Sequence, residues 1–187
     1  MNNPVTTHDS ILAQCRRLVM EGGLQAVNMR AVAEACQVAL GSLYNYFPSK
    51  SALIAATVES VWNDIFYDRE EPPRFASFLE AVRWFHESLA RSRVTYPGFF
   101  TLHAMSFAAQ DKETGRQLML QHFGRIRGRL QTALEQDSAV APEALAGPLT
   151  AQGVVELVFT TVIAMTLQGE GDIRTLLGLL KRALYKQ

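Results

Sequence analysis

Pro48 is the residue that most limits how this chain can fold. A proline inside a helix removes a hydrogen bond and clashes with the preceding turn. The apolar pattern of "LGSLYNYF" must therefore end at it. Ser49 follows at once and can cap a new helix from Lys50. On the other side a turn around Gln37 and Val38 closes off the stretch, which leaves a very short helix between two breaks. A helix that short does not persist alone in water and must dock on its neighbours. At about 100° per residue, Leu43 and Phe47 share one side and Gly41, Ser42 and Asn45 the opposite one, with Tyr44 and Tyr46 on the flanks. The Leu43/Phe47 edge docks, and the glycine, hydroxyl, amide and phenols stay outside.

The same periodicity runs through the rest of the chain, with no sustained strand alternation and no internal repeat. The sequence predicts an all-α protein of about nine helices. Thr7 caps the first, with Ile11, Leu12, Cys15, Leu18 and Val19 as its stripe and Gly22-Gly23 as its end. Asn28 caps the second, with Met29, Val32, Ala33 and Cys36 on one face. A fourth follows from Lys50 to about Phe66. "YDREEPPRF", residues 67 to 75, is polar with two prolines and is the expected boundary. It divides a helix-turn-helix domain, residues 1–50 with a connecting helix to about 66, from a helical domain over 67–187. Further helices are expected over 76–93, 97–109, 114–136, 148–168 and 173–186, with Pro97 and Pro148 in first turns.

Composition narrows the class only by exclusion. The 187 residues carry 18 basic and 18 acidic side chains, so charge argues neither for nor against a nucleic-acid partner. No uninterrupted apolar run reaches about 18 residues, so no membrane span is expected. "MNNPVTTHDS" lacks a basic start followed by an apolar block, so a cytoplasmic location is expected. Cys15 and Cys36 lie on apolar stripes and read as small core residues.

The exposed face of the short helix has the chemistry of a DNA reader. Small residues admit close approach to the major groove, Asn45 offers a donor and an acceptor to an adenine edge, and Ser42 serves base or phosphate. Tyr44, Tyr46 and Lys50 can hold phosphates on either side, with Asn28 and Arg30 at the start of the second helix beside them. Ser49 and the backbone N–H groups of the fourth helix add another phosphate position. Helix, short turn and short exposed helix make a helix-turn-helix.

"MRAVAEACQVALGSLYNYFPSKSALI" resembles the DNA-binding signature of the tetracycline-repressor (TetR) family. The matching residues are Val32, Ala33, Val38, Gly41, Ser42, Leu43, Tyr44, Tyr46, Phe47 and Lys50. The likeness covers about residues 7 to 60, and beyond that only helical layout and length agree. Two positions depart from it. The turn glycine is Gln37, which costs about 1 kcal/mol if the position is left-handed. The serine cap before the recognition helix is Ala39, a loss of roughly 1 kcal/mol and of one hydroxyl. Leu40 stands where relatives often read bases, and a leucine there can touch a thymine methyl but not donate a hydrogen bond. The resemblance implies a homodimer that binds a palindromic operator and represses transcription.

The C-terminal part is rich in large, soft side chains: Trp84, Phe85, Phe99, Phe100, Met105, Phe107, Met119, Phe123, Phe159 and Met165. Singly each reads as core. Together they can enclose an adaptable apolar pocket, and the resemblance implies such a pocket for a small apolar or aromatic ligand; His103 reads either as a polar wall of it or as a surface histidine. His86, His103 and His122 lack i, i+4 spacing and a nearby cysteine, so neither a metal nor a cofactor is expected. Arg125, Arg127 and Arg129 read as a solvated helix. "LTAQGVVELVFTTVIAMTL" and "IRTLLGLLKRALY" are apolar almost all round, which calls for burial on a second side. That predicts a two-fold four-helix interface through Gln152, Gly153, Glu156, Thr160, Ala164, Leu176, Leu180 and Leu184.

The sequence admits two functional readings: a ligand-released repressor, and a helix-turn-helix protein that lacks small-molecule control and acts with a protein partner. No nucleophile–base pair, paired carboxylates or Gly-rich phosphate loop supports an enzyme.

Overall fold

The hydroxyl of Thr7 accepts from the Ser10 N–H at 3.1 Å while Ser10 Oγ accepts from the Thr7 N–H at 2.9 Å. This reciprocal cap starts helix α1 (His8–Gly22). In the computed structural model, which describes residues 6–67, 73–99, 112–169 and 171–186, seven more helices follow. They are α2 (Met29–Ala35), α3 (Leu40–Tyr44), α4 (Lys50–Tyr67), α5 (Phe78–Thr95), α6 (Lys112–Gln136), α7 (Ala151–Gln168) and α8 (Arg174–Leu184). Among the described residues there is no strand, only an isolated bridge between Val140 and Tyr185.

The stops and starts have local causes. Gly23, at φ 72, ends α1 in a region that other residues rarely adopt. Asn28 Oδ1 accepts from the N–H groups of Arg30 and Ala31 and opens α2. Ser49 Oγ accepts from Ala52 N–H at 3.1 Å and opens α4 behind Pro48. Pro148 stands outside its helix: Thr150 is the cap, accepting from Gly153 N–H at 3.0 Å, so α7 starts three residues later than the proline suggests. The helix expected over 97–109 lies outside the described residues beyond Phe99, where Pro97 and Gly98 form a turn.

The chain groups into two compact units, Met1–Asp68 with Ser92–Met119, and Arg69–Arg91 with Leu120–Gln187. In the first, Ile11, Cys15 and Val19 from α1 meet Leu43, Phe47, Leu53, Val61 and Trp62 in one buried core. The Trp62 indole stacks on Phe66 at 5.7 Å and meets Phe99 edge-on at 5.9 Å. Burial pushes the Cys15 thiol up to about 11, which keeps it protonated and inert. Cys36 is only half-buried, less enclosed than its stripe suggests.

The second unit is built on Phe78, Phe85, Leu89, Ile126, Leu130, Val158, Phe159 and Leu184. Arg127 and Arg129 are not simply solvated. The Arg127 guanidinium lies 4.1 Å from the Phe159 ring centroid and pairs with Glu156 at 2.8 Å, and Arg129 lies over the Trp84 ring at 5.8 Å. By length and composition alone α7 is long and apolar enough to cross a membrane, with a mean hydropathy of 1.3, although Glu156 interrupts its apolar run. Its Val154, Val155, Val158, Phe159 and Val162 are buried, while Gly153, Leu157, Thr160, Ala164 and Leu167 are exposed.

Candidate nucleic-acid interface

Leu43 is fully buried and Phe47 is 3% exposed, so the docking edge of α3 is seated in the first unit's core. On the other side Leu40, Gly41, Ser42, Tyr44, Asn45 and Tyr46 are all exposed, as are Arg30, Ser49 and Lys50. The start of α1 grips this edge from outside. The His8 ring sits 4.9 Å from that of Phe47, and the Tyr46 hydroxyl donates to the Thr6 carbonyl. Neither contact is readable from helix periodicity, because each joins residues about forty positions apart.

The turn before α3 carries both departures noted above. Gln37 has φ 55, which among the described residues is the one positive value outside glycine. A left-handed glutamine costs roughly 1–2 kcal/mol. Ala39 stands at the cap of α3 with no side-chain hydrogen bond. The five-residue helix therefore has no side-chain cap, and it is held by the burial of Leu43 and Phe47 together with the contacts of Tyr46 and Phe47 with Thr6 and His8 at the start of α1.

Gly41 is unexplained by internal packing. A Cβ added there meets nothing within 4 Å. Glycine inside a helix costs about 0.5–1 kcal/mol relative to alanine, so the chain carries a weakness here that its own fold does not require. Ser42, Asn45, Tyr44, Arg30 and Lys50 make no side-chain hydrogen bond or ion pair among the described residues. The interface thus presents free amide, hydroxyl, phenol and cationic groups around a bare backbone patch. Three expected contacts are partly committed already: the Asn28 amide oxygen and the Ser49 hydroxyl cap helices, and the Tyr46 hydroxyl hydrogen goes to Thr6.

Residues 11–57 match the family described as bacterial regulatory proteins, tetR family. This N-terminal stretch is similar to the DNA-binding region of the tetR family. The chain is 29% identical over 136 residues to the HTH-type transcriptional repressor KstR of Rhodococcus jostii (strain RHA1), and 48% identical over 48 residues to KstR of Mycolicibacterium smegmatis. These alignments take in 73% and 26% of this chain and 63% and 24% of the relatives. The chain thus spans less than two thirds of the length of those curated relatives. In fold it is similar to the crystal structure of the multidrug binding protein EbrR complexed with imidazole, with a TM-score of 0.60 and 19% identity, covering 95% of this chain and 94% of that one.

The residues expected to line a ligand pocket divide. Phe100, His103 and Phe107 lie outside the described residues. Phe99 is in the first unit's core and Met119 is half-buried. In the second unit Phe85 is fully buried and stacks on Phe159 at 5.4 Å, with Phe123 edge-on to Phe159 at 5.0 Å. These rings fill space against one another. Trp84 and Met165 are half-buried, and Trp84 also meets Phe75 at 5.3 Å. His86 and His122 are buried, and among the described residues no group of His, Cys, Asp or Glu is arranged to hold a metal.

The expected dimer face needs a correction. Leu180 and Leu184 are 6% and 1% exposed and belong to the second unit's own core. Gln152, Gly153, Glu156, Thr160 and Ala164 are exposed and Leu176 is half-buried. Leu157 and Leu179, missed from the sequence, are each 62% exposed. Gly153, Leu157, Thr160, Ala164 and Leu167 recur at four- and three-residue steps along α7. That spacing is the signal that marks one outward stripe.

Proposed function

We propose that this chain is a DNA-binding transcriptional regulator: a homodimeric repressor whose residues 1–50, with the connecting helix to about 66, read a palindromic operator. Residues 67–187 then provide ligand binding and dimerisation. The observation that carries the reading is the outward face of α3. Gly41, Ser42 and Asn45 stand free on a helix whose opposite edge is locked in the core, and no internal contact accounts for the glycine. Asn45 and Ser42 address base edges, Leu40 addresses thymine methyls, and Tyr44, Lys50 and Arg30 address phosphates. Two copies joined through the α7 stripe would present two such faces to half-sites of a palindrome. Control by a small ligand is in keeping with the likeness in fold to EbrR, described as a multidrug binding protein and solved in complex with imidazole.

Titrating the purified chain against random and palindromic duplex pools tests this. Binding should weaken linearly in log[salt] as phosphate contacts are lost, and absence of salt-sensitive binding at low ionic strength rejects the reading. A second reading, DNA binding without small-molecule control, is favoured by the ring-on-ring packing of Phe85, Phe123 and Phe159. Thermal shift against lipophilic and aromatic compounds separates the two. A ligand that raises the melting temperature and weakens DNA binding favours release.

A further inference from the structure

A cleft of about 490 Å³ opens within the first unit between α1 and α4. Its volume falls in the range of small-molecule sites. Asp9, Leu12 and Arg16 form one wall with His8, and Ala56, Glu59, Ser60, Asn63, Asp64 and Tyr67 form the other. Three carboxylates and one guanidinium therefore share it.

The guanidinium is already spoken for. Arg16 Nη1 donates to Ser60 Oγ, a hydroxyl only 6% exposed, and Nε pairs with Asp64 Oδ1 at 3.6 Å. Asp64 Oδ2 also accepts from the Tyr96 hydroxyl at 2.6 Å. This network forms a fixed, charge-neutral floor. Asp9 and Glu59 have no ion-pair or hydrogen-bond partner for their side chains among the described residues. The cleft so carries two uncompensated negative charges, one on each wall, with Leu12 and Ala56 as apolar surface.

We propose that this cleft is a binding site for a small organic cation, an amine with a short aliphatic body. Asp9 and Glu59 would hold the charged groups from opposite walls, and Leu12 and Ala56 would cover the aliphatic part. An anion is disfavoured because the one guanidinium is committed to Asp64 and Ser60. The site lies in the DNA-binding unit, and His8, at its rim, touches Phe47, the docking residue of α3. An occupant bridging α1 and α4 is therefore one side chain away from the helix that carries the reading face.

The test is calorimetric titration of the full chain, without DNA, with 1,4-diaminobutane, and with butanol and butyrate as neutral and anionic controls. Saturable one-site binding of the diamine is expected, with none of either control. Glu59→Gln and Asp9→Asn should each weaken it roughly tenfold, the effect of one carboxylate about 5 Å from an ammonium in a half-solvated cleft. Circular dichroism establishes that the variants fold. No saturable diamine binding, equal binding of butanol, or unchanged affinity in the folded double variant would overturn the site. Because no DNA is present, this result is independent of operator recognition.

Discussion

The Tyr46 hydroxyl donates to the carbonyl of Thr6, forty residues earlier, while the Tyr44 hydroxyl two positions away bonds to nothing among the described residues. The two phenols flank the same short helix but do different work. Tyr46→Phe is expected to lower stability by about 1 kcal/mol, the net worth of an ordinary hydrogen bond. Tyr44→Phe is expected to leave the melting temperature unchanged and to weaken DNA binding on all sequences alike, as loss of a phosphate contact does. Thermal melts paired with binding on random and selected duplexes check both.

Gln37 occupies a conformation that glycine adopts freely. Gln37→Gly should stabilise the chain by about 1 kcal/mol, the left-handed penalty less the extra freedom glycine has when unfolded. For a chain of this size that raises the melting temperature by about 2–4 °C. A fall in melting temperature would mean that the glutamine side chain holds the turn.

What was legible in the sequence follows from range. Thr7, Asn28 and Ser49 cap helices through contacts two or three residues away, and the Leu43/Phe47 edge follows from a four-residue step, so local spacing reveals them. Tyr46 to Thr6, His8 to Phe47 and Phe78 to Asp137 join residues about forty to sixty apart, and no periodicity points to them. In "TLLGLL" leucines fill nearly every phase, so the sequence does not distinguish buried Leu180 from exposed Leu179. Pro148 misled because a favoured first-turn residue lost to Thr150, whose hydroxyl makes the actual cap.

On the proposed reading, Asn45 and Lys50 would divide base reading from phosphate holding. Asn45→Ala should relax preference at one base step by about 1–3 kcal/mol and leave random-sequence binding nearly intact. Lys50→Ala should weaken every duplex alike and reduce the salt slope by about 1. Equal losses on every duplex for Asn45→Ala would show that the amide contacts phosphate.

On the proposed reading, the α7 stripe and Leu179 would form the surface for a second copy. Leu157→Glu places a charge in the middle of that stripe and should convert dimer to monomer in sedimentation velocity while each chain stays folded. Leu180→Ala, by contrast, should destabilise each chain by about 2–5 kcal/mol as a core truncation. An unchanged dimer in Leu157→Glu would move the interface elsewhere.

Asp137 ties the end of the chain to the start of α5. Its Oδ2 accepts from the Phe78 N–H at 2.8 Å and from the Tyr185 hydroxyl, and its Oδ1 from the Ala139 N–H at 3.0 Å. Burial pushes the carboxyl up, but these three donors outweigh it and hold it below the usual carboxylate range. The folded form therefore releases its proton more readily than the unfolded chain. The stabilisation is fully present above an unfolded value of about 3.9 and is lost as pH falls through the lower folded value. Tyr185 is pushed up by burial and by the same carboxylate, so it stays protonated as a donor across neutral pH. Asp137→Ala should cost about 2–3 kcal/mol at pH 7, because charge-assisted bonds are lost and the Phe78 N–H is left buried without its acceptor. Asp137→Asn should cost less and should flatten the fall in stability below pH 4. Urea melts of the three proteins between pH 3 and pH 7 check this, and parallel acid slopes for all three would show that another carboxylate sets the acid limit.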